Sequence, residues 1–528
     1  MARFSARLNA GFFVLVAGSL MLLGCGGGGG GGATGATAQS PNAAATTYGH
    51  FRKTQAAGGS SVTATAKVQP MTANTTVDMS YPREGQTSTL LADGRVLIAG
   101  GNPTTINNPN LVPYDSAELF DPNTEAFSLV PSRMSYGRTE HCAVLMPDKR
   151  VLLIGGGYNY GPVPDLSTVD IFDPVANSFS AQQIVGWETL GNGTTGNEKL
   201  HCFPLSGGRV FIYGGVTTQS VMAAPAVLDL TTWTVRPVTL EGTDPLFFER
   251  NYAASVQASD GRVFVVGGQD AHSYNTGLSQ DSADILVFDP VTETMAGIGE
   301  MQTVRSEAGI LAMDDGSIEV YGGAYSTAPT VVQRLTSVER ISSAGVSTKI
   351  GDLATTKNYF TSVMLQNDRS LHVGGSGSDG TSTATELVFD ENSHWSAYTG
   401  NMIEERSDFG IAMLGTGRVL ITGGYGMVMN NGIGTDEVSS TGEIYEPDAQ
   451  LYITMTNPVL ALGESAQLTP SPNVSVTWSA KLGTVSASGL YTAPDAATWQ
   501  AKGTAPFDEV TATGNGRSAT VRIPLIAQ

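Results

Sequence analysis

The chain has 528 residues, room for two or three domains, and only 14% of them are charged. Forty-eight acidic against 28 basic residues give a formal charge of -20, which opposes binding to the polyanionic backbone of nucleic acid or to an anionic membrane surface. With 64 glycines and frequent Ser and Thr, the composition suits many short strands joined by tight turns rather than long solvated helices, so an all-β chain is expected.

The first residues hold a short basic start (Arg3, Arg7), an apolar stretch from Gly11 to Leu23 and then Cys25. This is the pattern of an export signal, too short for a comfortable membrane span. Leu22-Leu23-Gly24-Cys25 resembles the bacterial lipobox, in which the thiol is lipidated and the chain before it is removed. That resemblance implies a signal peptide over 1–24 and a mature chain outside the cytoplasm, touching the membrane through its lipid anchor only. Gly26 stands where an aspartate would resemble an inner-membrane retention signal, so an outer-membrane lipoprotein, facing the periplasm or the cell surface, is expected. From Cys25 the chain runs through consecutive glycines into an Ala/Thr/Ser/Gly-rich stretch, and 25–76 reads as a flexible leash.

From 77 to 453 one pattern recurs. Short apolar runs end in glycine pairs at Gly100-Gly101, Gly155-Gly156, Gly214-Gly215, Gly267-Gly268, Gly322-Gly323, Gly374-Gly375 and Gly423-Gly424. Ahead of these pairs stand the cations Arg83, Arg138, Lys199, Arg250, Arg305, Lys357 and Arg406, seventeen positions before the first glycine except at Lys199, where the interval is fifteen. Between cation and glycines lies a tight turn: Asp93-Gly94, Asp148-Lys149, Gly207-Gly208, Asp260-Gly261, Asp315-Gly316, Asp368-Arg369 or Thr416-Gly417. Asp-Gly and Gly-Gly between apolar runs signal hairpins, because both central residues can take positive φ. A third strand then ends in ELFDP, DIFDP, LVFDP, LVFDE or EIYEP, and aromatic pairs such as Phe120 and Phe127, Phe172 and Phe179, and Tyr445 and Tyr452 flank the turn that follows. Each repeat therefore reads as a four-stranded sheet, with the outer strands of the fifth copy least secure because Ile341 stands in place of the aromatic residue.

Diglycine followed by spaced aromatic residues resembles the kelch repeat, whose period is near fifty residues. The resemblance implies a seven-bladed β-propeller, closed by a strand from about Thr75 to Ser80 beside the seventh blade, and it says little about function because such propellers do unrelated jobs. The tail, 454–528, alternates polar and apolar residues between Gly, Pro and Asn in the length of one small sandwich. Gly489-Leu490-Tyr491-Thr492-Ala493-Pro494 and the upstream Trp478 resemble bacterial Ig-like modules.

If the first strand starts at the cation and the second returns to the glycine pair, the cations and the loops after the glycines share one face. Those loops are long, from Asn102 to Ser116, Tyr158 to Thr168, Gln269 to Ala283, Ala324 to Ser337 and Tyr425 to Gly442, whereas the opposite face has only tight turns. Variable loops on a rigid scaffold are where binding residues ride, so this is the expected working face. Its candidates are Tyr158, Tyr160, His272, Tyr274, Tyr325 and Tyr425, together with Asn107, Asn108, Tyr114, Asn159 and Asn275, residue types that suit a carbohydrate, peptide or protein ligand.

The cation ring supports two readings: guanidinium forks open to an anionic ligand, or Arg–Glu pairs locking blade to blade through Glu84, Glu140, Glu198, Glu249, Glu307, Glu404 and Glu405. Cys142 and Cys202, each preceded by histidine, lie on first strands of neighbouring blades; export permits a disulfide, and two buried thiols fit the spacing equally. Zinc held by His141, Cys142, His201 and Cys202 is disfavoured, because adjacent strand residues point to opposite faces.

A propeller followed by an Ig-like module also resembles galactose oxidase, whose copper takes two tyrosines and two histidines, one from the C-terminal domain. In this chain the last histidine is His394, inside the sixth repeat, so neither copper nor any other cofactor is expected. A binding protein is the reading favoured over an enzyme. The alternatives are a non-copper carbohydrate-active enzyme of the mutarotase or epimerase type, with Arg138, Glu140, Arg305 and Glu307 at the channel mouth, or a galactose oxidase-like relative lacking the copper site.

Overall fold

The apolar runs that close in each glycine pair are the second strands of seven four-stranded antiparallel blades. The computed structural model describes residues 76–526, apart from 105–111, 157–166, 188–197, 217–223, 243–244, 271–280, 329–330, 368, 377–384, 391–394, 431–432, 448–450 and 503–504. All of these described residues lie within one unit, Ala45–Gln528. Blade one comprises Thr87–Leu90, Val96–Ala99, Ala117–Asp121 and Ala126–Leu129, paired in that order, and the following blades repeat it. First strands touch first strands of the adjacent blades, so they line the axis. The second strands Val96–Ala99, Val151–Ile154, Val263–Val266 and Ile318–Tyr321 are buried throughout. Each is covered by neighbouring blades on both sides, which is why these runs are continuously apolar rather than alternating.

The hairpins between first and second strands differ in detail from the expectation. In blade one Leu91 N donates to Arg95 O and Gly94 N to Leu91 O, while Asp93 Oδ1 accepts from Arg95 N. Only Gly94 takes positive φ, at 88°, so this is a three-residue loop ending in a left-handed residue. Gly207-Gly208, both left-handed at 73° and 64°, does follow the two-residue expectation.

Ring closure uses the N-terminal strand. Thr76–Asp78 pairs with Thr441–Tyr445 as the outermost strand of blade seven, with Thr76 opposite Glu443 and Asp78 opposite Thr441. Tyr452, expected across the turn from Tyr445, instead opens the tail, in strand Tyr452–Met455. Blade five is complete despite its missing aromatic pair: Ser337–Ile341 and Ser347–Asp352 form its outer strands, and Ile341 is fully buried.

The tail folds as two four-stranded sheets around its own core of Leu468, Tyr491, Trp499, Val510 and Ile523, with Trp478 packed against its margin. This sandwich seats on the turn side of the propeller. Lys149 Nζ reaches both oxygens of Glu464 at 2.7 Å, Ile453 exchanges hydrogen bonds with the Gln366 side chain, and Arg522 donates to Ala312 O and Asp314.

Candidate functional site

The seventeen-residue interval is a hydrogen bond. Arg83 Nη1 donates to Gly100 O at 2.6 Å, Arg138 Nη1 to Gly155 O at 2.6 Å, Arg305 Nη1 to Gly322 O at 2.8 Å, Lys357 Nζ to Gly374 O at 2.7 Å and Arg406 Nη1 to Gly423 O at 2.6 Å. A carboxylate on the third strand of the same blade takes the rest of the guanidinium: Glu118 for Arg83, Asp170 for Arg138, Asp284 for Arg250, Glu339 for Arg305 and Glu443 for Arg406. Four of those acids also accept the backbone N–H three residues before the cation, from Ser80, Ser135, Gln302 and Ile403. A buried Met or Leu four positions ahead of the cation (Met79, Met134, Met301, Leu353, Met402) pins this entry segment to the core.

Aromatic rings seal the charge. Tyr114 and Tyr81 stand 4.9 and 5.8 Å from the Arg83 guanidinium, Tyr136 lies 4.2 Å from that of Arg138, and Phe247 lies 4.9 Å from that of Arg250. Burial pushes Arg83 and Arg305 below the ordinary arginine value against the opposing pull of Glu118 and Glu339, and it pushes the Tyr114 hydroxyl up.

The reading of an open cation ring is therefore corrected: Arg83, Arg138, Arg250, Arg305, Lys357 and Arg406 are 0–1% exposed and offer no surface charge to an anion. The locking reading is corrected in its partners. The acids that hold the guanidinium groups sit on third strands, and Glu404, beside the cation, adds an ion pair to Arg406. Sequence reasoning missed these acids, although several stand two residues before the third-strand aromatic or aliphatic: Glu118 before Phe120, Asp170 before Phe172, Glu339 before Ile341 and Glu443 before Tyr445.

Two residues beyond the cation the backbone turns left-handed, with φ of 64° at Gly85, 50° at Glu140, 56° at Tyr252, Glu307 and Tyr359, and 50° at Asp408. These residues form a hydrogen-bonded belt from blade to blade: Gly85 N donates to Asp408 O and Glu140 N to Gly85 O, while Glu307 N donates to Tyr252 O and Tyr359 N to Glu307 O. Because the belt directly precedes the axial strands, it forms the mouth of the central channel. Its five non-glycine side chains are half-buried. The Tyr252 and Tyr359 rings meet edge to face, centroids 6.2 Å apart, one on each flank of Glu307. Asn358 Nδ2 donates to Glu307 Oε2 at 2.7 Å, and Asn358 Oδ1 accepts from Arg334 Nε at 2.9 Å, which ties the carboxylate to the adjoining loop. Left-handed non-glycine residues cost free energy and gather at ligand clamps, where a bulge re-aims a side chain.

The loops after the glycines form β-hairpins in two blades. Tyr325 is the second residue of Ala324–Ala328, paired with Val331–Arg334, and Tyr425 opens Tyr425–Asn430, paired with Ile433–Val438; both tyrosines are half-buried. Tyr425 also exchanges backbone hydrogen bonds with Ser407, next to the belt residue Asp408. Tyr158, Tyr160, His272, Tyr274, Asn107, Asn108, Asn159 and Asn275 lie outside the described residues, as do Cys25 and the Lys199 side chain. The belt members Tyr252, Tyr359 and Asp408 were not singled out from sequence, although their constant offset from the cations could have found them.

Cys142 and Cys202 form a disulfide, Cα atoms 5.8 Å apart, between the first strands of blades two and three. His141 Nε2 bonds Thr87 Oγ1 at 2.9 Å, and His372 bonds Ser362 and Ser370 at 2.8 and 2.9 Å. Burial, with Arg138 and Lys357 respectively adding to it, pushes both histidines down to about 3; burial holds His201 at about 4. Among the described residues no three His, Cys, Asp or Glu side chains converge as a metal site.

Over residues 85–323 the chain matches the family model described as the KLHDC2/KLHL20/DRC7 Kelch-repeats domain. No curated protein matches it. Among solved structures it is similar to a fungal alcohol oxidase of the AA5 family in complex with copper, at 15% identity and TM-score 0.60, covering 87% of this chain and 100% of that one. YjhT aligns at 12% identity and TM-score 0.44, covering 61% of this chain and 98% of that one. Such identities speak to fold alone. His141 and His372 are held inside the blades by hydroxyls, and the sandwich contributes no histidine. Seven diglycine blades, the family match and the oxidase likeness together make this chain a kelch-type β-propeller followed by a β-sandwich.

Proposed function

We propose that this protein is a membrane-tethered extracytoplasmic binding protein whose propeller takes a neutral carbohydrate at the channel mouth. The observation that carries the reading is the Tyr252–Glu307–Tyr359 arc, three adjacent left-handed residues with half-buried side chains. Tyrosine rings give a sugar flat apolar area, and a carboxylate held by Asn358 accepts hydroxyl hydrogens. With the ring cations Arg83, Arg138, Arg250, Arg305, Lys357 and Arg406 buried inside the blades, they offer an acidic ligand no exposed charge. Binding to a glycan array tests it: neutral glycans bind, and Tyr252→Asn, which tolerates the left-handed backbone, or Glu307→Gln lowers affinity at least tenfold with an unchanged melt. Binding unaffected by both substitutions contradicts it.

The tether rests on the lipobox at Cys25. Cys25→Ser moves the protein from the outer-membrane to the soluble fraction; unchanged membrane association contradicts the anchor. Glu140 and Glu307 on one belt also favour a second reading, a non-copper carbohydrate-active enzyme, which is distinguished by interconversion of sugar anomers or epimers that stops in Glu307→Gln.

A further inference from the structure

The seam between the propeller's turn side and the sandwich holds a partly open cavity of about 310 Å³. Leu90, Leu205 and Pro290 form its propeller wall, and Trp499, Pro506 and Leu525 form the sandwich wall. Residues of blades one to four, from Leu90 to Pro290, border the lumen. We propose that this cavity is a second binding site and that its ligand is an uncharged hydrocarbon group, the acyl tail of a lipid.

The wall chemistry selects that class. Arg209 is spent on Ser206 O at 3.0 Å, Pro290 O at 3.4 Å and the Glu293 carboxylate, and the Gln257 amide donates to Pro204 O and Gly261 O. The charge that borders the lumen is thus neutralised within the propeller, and the remaining surface is largely aliphatic, proline and indole. Protein interiors leave few voids larger than a water molecule, and an apolar void forfeits the contacts of its lining. This one persists because the polar anchors set the gap. Lys149 with Glu464, Arg522 with Asp314, Gln366 with Ile453, and Gly415 O with Met455 N hold the sandwich at blades two, five, six and seven. The Cys142–Cys202 disulfide fixes the wall between blades two and three, where Cys202 itself lines the lumen. The volume falls at the lower end of the range for small-molecule pockets, about 300–1,000 Å³.

The test uses the whole chain carrying Cys25→Ser, so that no lipid of its own competes, titrated with cis-parinaric acid and then with 1-dodecanol. Saturable binding that salt leaves unchanged and dodecanol displaces is expected. Leu205→Trp and Leu525→Trp fill the lumen from opposite walls, and each weakens binding at least tenfold with an unchanged melt. A brominated dodecanol quenches tryptophan emission, and Trp499→Phe removes most of that quenching, which keeps the site readable should a filling variant misfold. If the Cys25 protein as produced binds no parinaric acid while Cys25→Ser does, the resident tail is the protein's own, which equally supports the site. Absence of saturable binding, or full affinity in both filling variants with quenching unaltered by Trp499→Phe, overturns it.

Discussion

The backbone N–H of Gly424 donates to the carbonyl of Arg83 at 2.7 Å, which joins blade seven to blade one. The same bond runs from Gly101 to Arg138, Gly268 to Arg305, Gly323 to Lys357 and Gly375 to Arg406. The diglycine thus has two duties. Its first carbonyl accepts the cation of its own blade, and its second N–H latches to the cation residue of the next.

Gly424→Ala is expected to weaken ring closure. With φ at 85°, an added Cβ meets Ser407 O at 2.6 Å and the Phe409 Cβ at 2.7 Å, so backbone strain and a clash combine. Gly463→Ala has a similar φ of 80° and nothing within 4 Å, and reports the strain alone, about 1 kcal/mol. Urea melts should show Gly424→Ala the more destabilising of the two by at least a further ~1 kcal/mol. Equal losses contradict the close packing of Gly424 against Ser407 and Phe409 at the closure.

Removing one partner of a buried ion pair strands the other. Arg138→Ala leaves the buried Asp170 without its counter-charge, held by Ser135 N–H and hydroxyl, and should cost about 3–5 kcal/mol. Arg138→Lys should cost clearly less, because blade six already uses Lys357 to reach Gly374 O at 2.7 Å. Denaturant midpoints of the two variants check this order.

The buried histidines make the fold acid-sensitive. His141 and His372 are neutral in the folded chain down to about pH 3, whereas an unfolded histidine takes its proton near the ordinary value of 6.5. Between those values the unfolded state binds more protons, so stability is full above pH 6.5 and falls as the pH drops, by up to about 1.4 kcal/mol per pH unit for each histidine. His372→Gln should flatten the slope of stability against pH between 6 and 4, measured by chemical denaturation at each pH. An unchanged slope contradicts the assignment.

The Cys142–Cys202 bond closes a sequence separation of 60 residues, for which the chain-entropy model gives a stabilisation of about 4 kcal/mol. Reduction, or Cys142→Ser with Cys202→Ser, should lower the propeller's denaturation midpoint accordingly. An unchanged midpoint would show that the staple adds nothing to the inter-blade packing.

The architecture was legible because diglycine, Asp-Gly and spaced aromatics encode local events: a latch, a turn, a ring pair such as Phe120 and Phe127 at 5.1 Å. The fate of the cations was not, because Arg83 and Glu118 meet only after the sheet has brought strands 35 residues apart together. A guanidinium on a ligand face and one under a tyrosine lid have the same sequence spacing. Tyr252 and Tyr359 escaped notice for a related reason: their left-handed backbone follows from inter-blade hydrogen bonds, and nothing local such as glycine marks it. The disulfide stayed open in the sequence because strand register alone decides whether two cysteines one position out of step can meet.

In the proposed function the mouth recognises neutral sugars while the cations serve the fold. Calorimetric titration of the Cys25→Ser protein with matched neutral and acidic oligosaccharides, at low and moderate salt, tests it most directly. Binding of the neutral ligand, unchanged by salt and lost in Glu307→Gln, is expected. Binding confined to the acidic ligand, and weakening as salt rises, would contradict it.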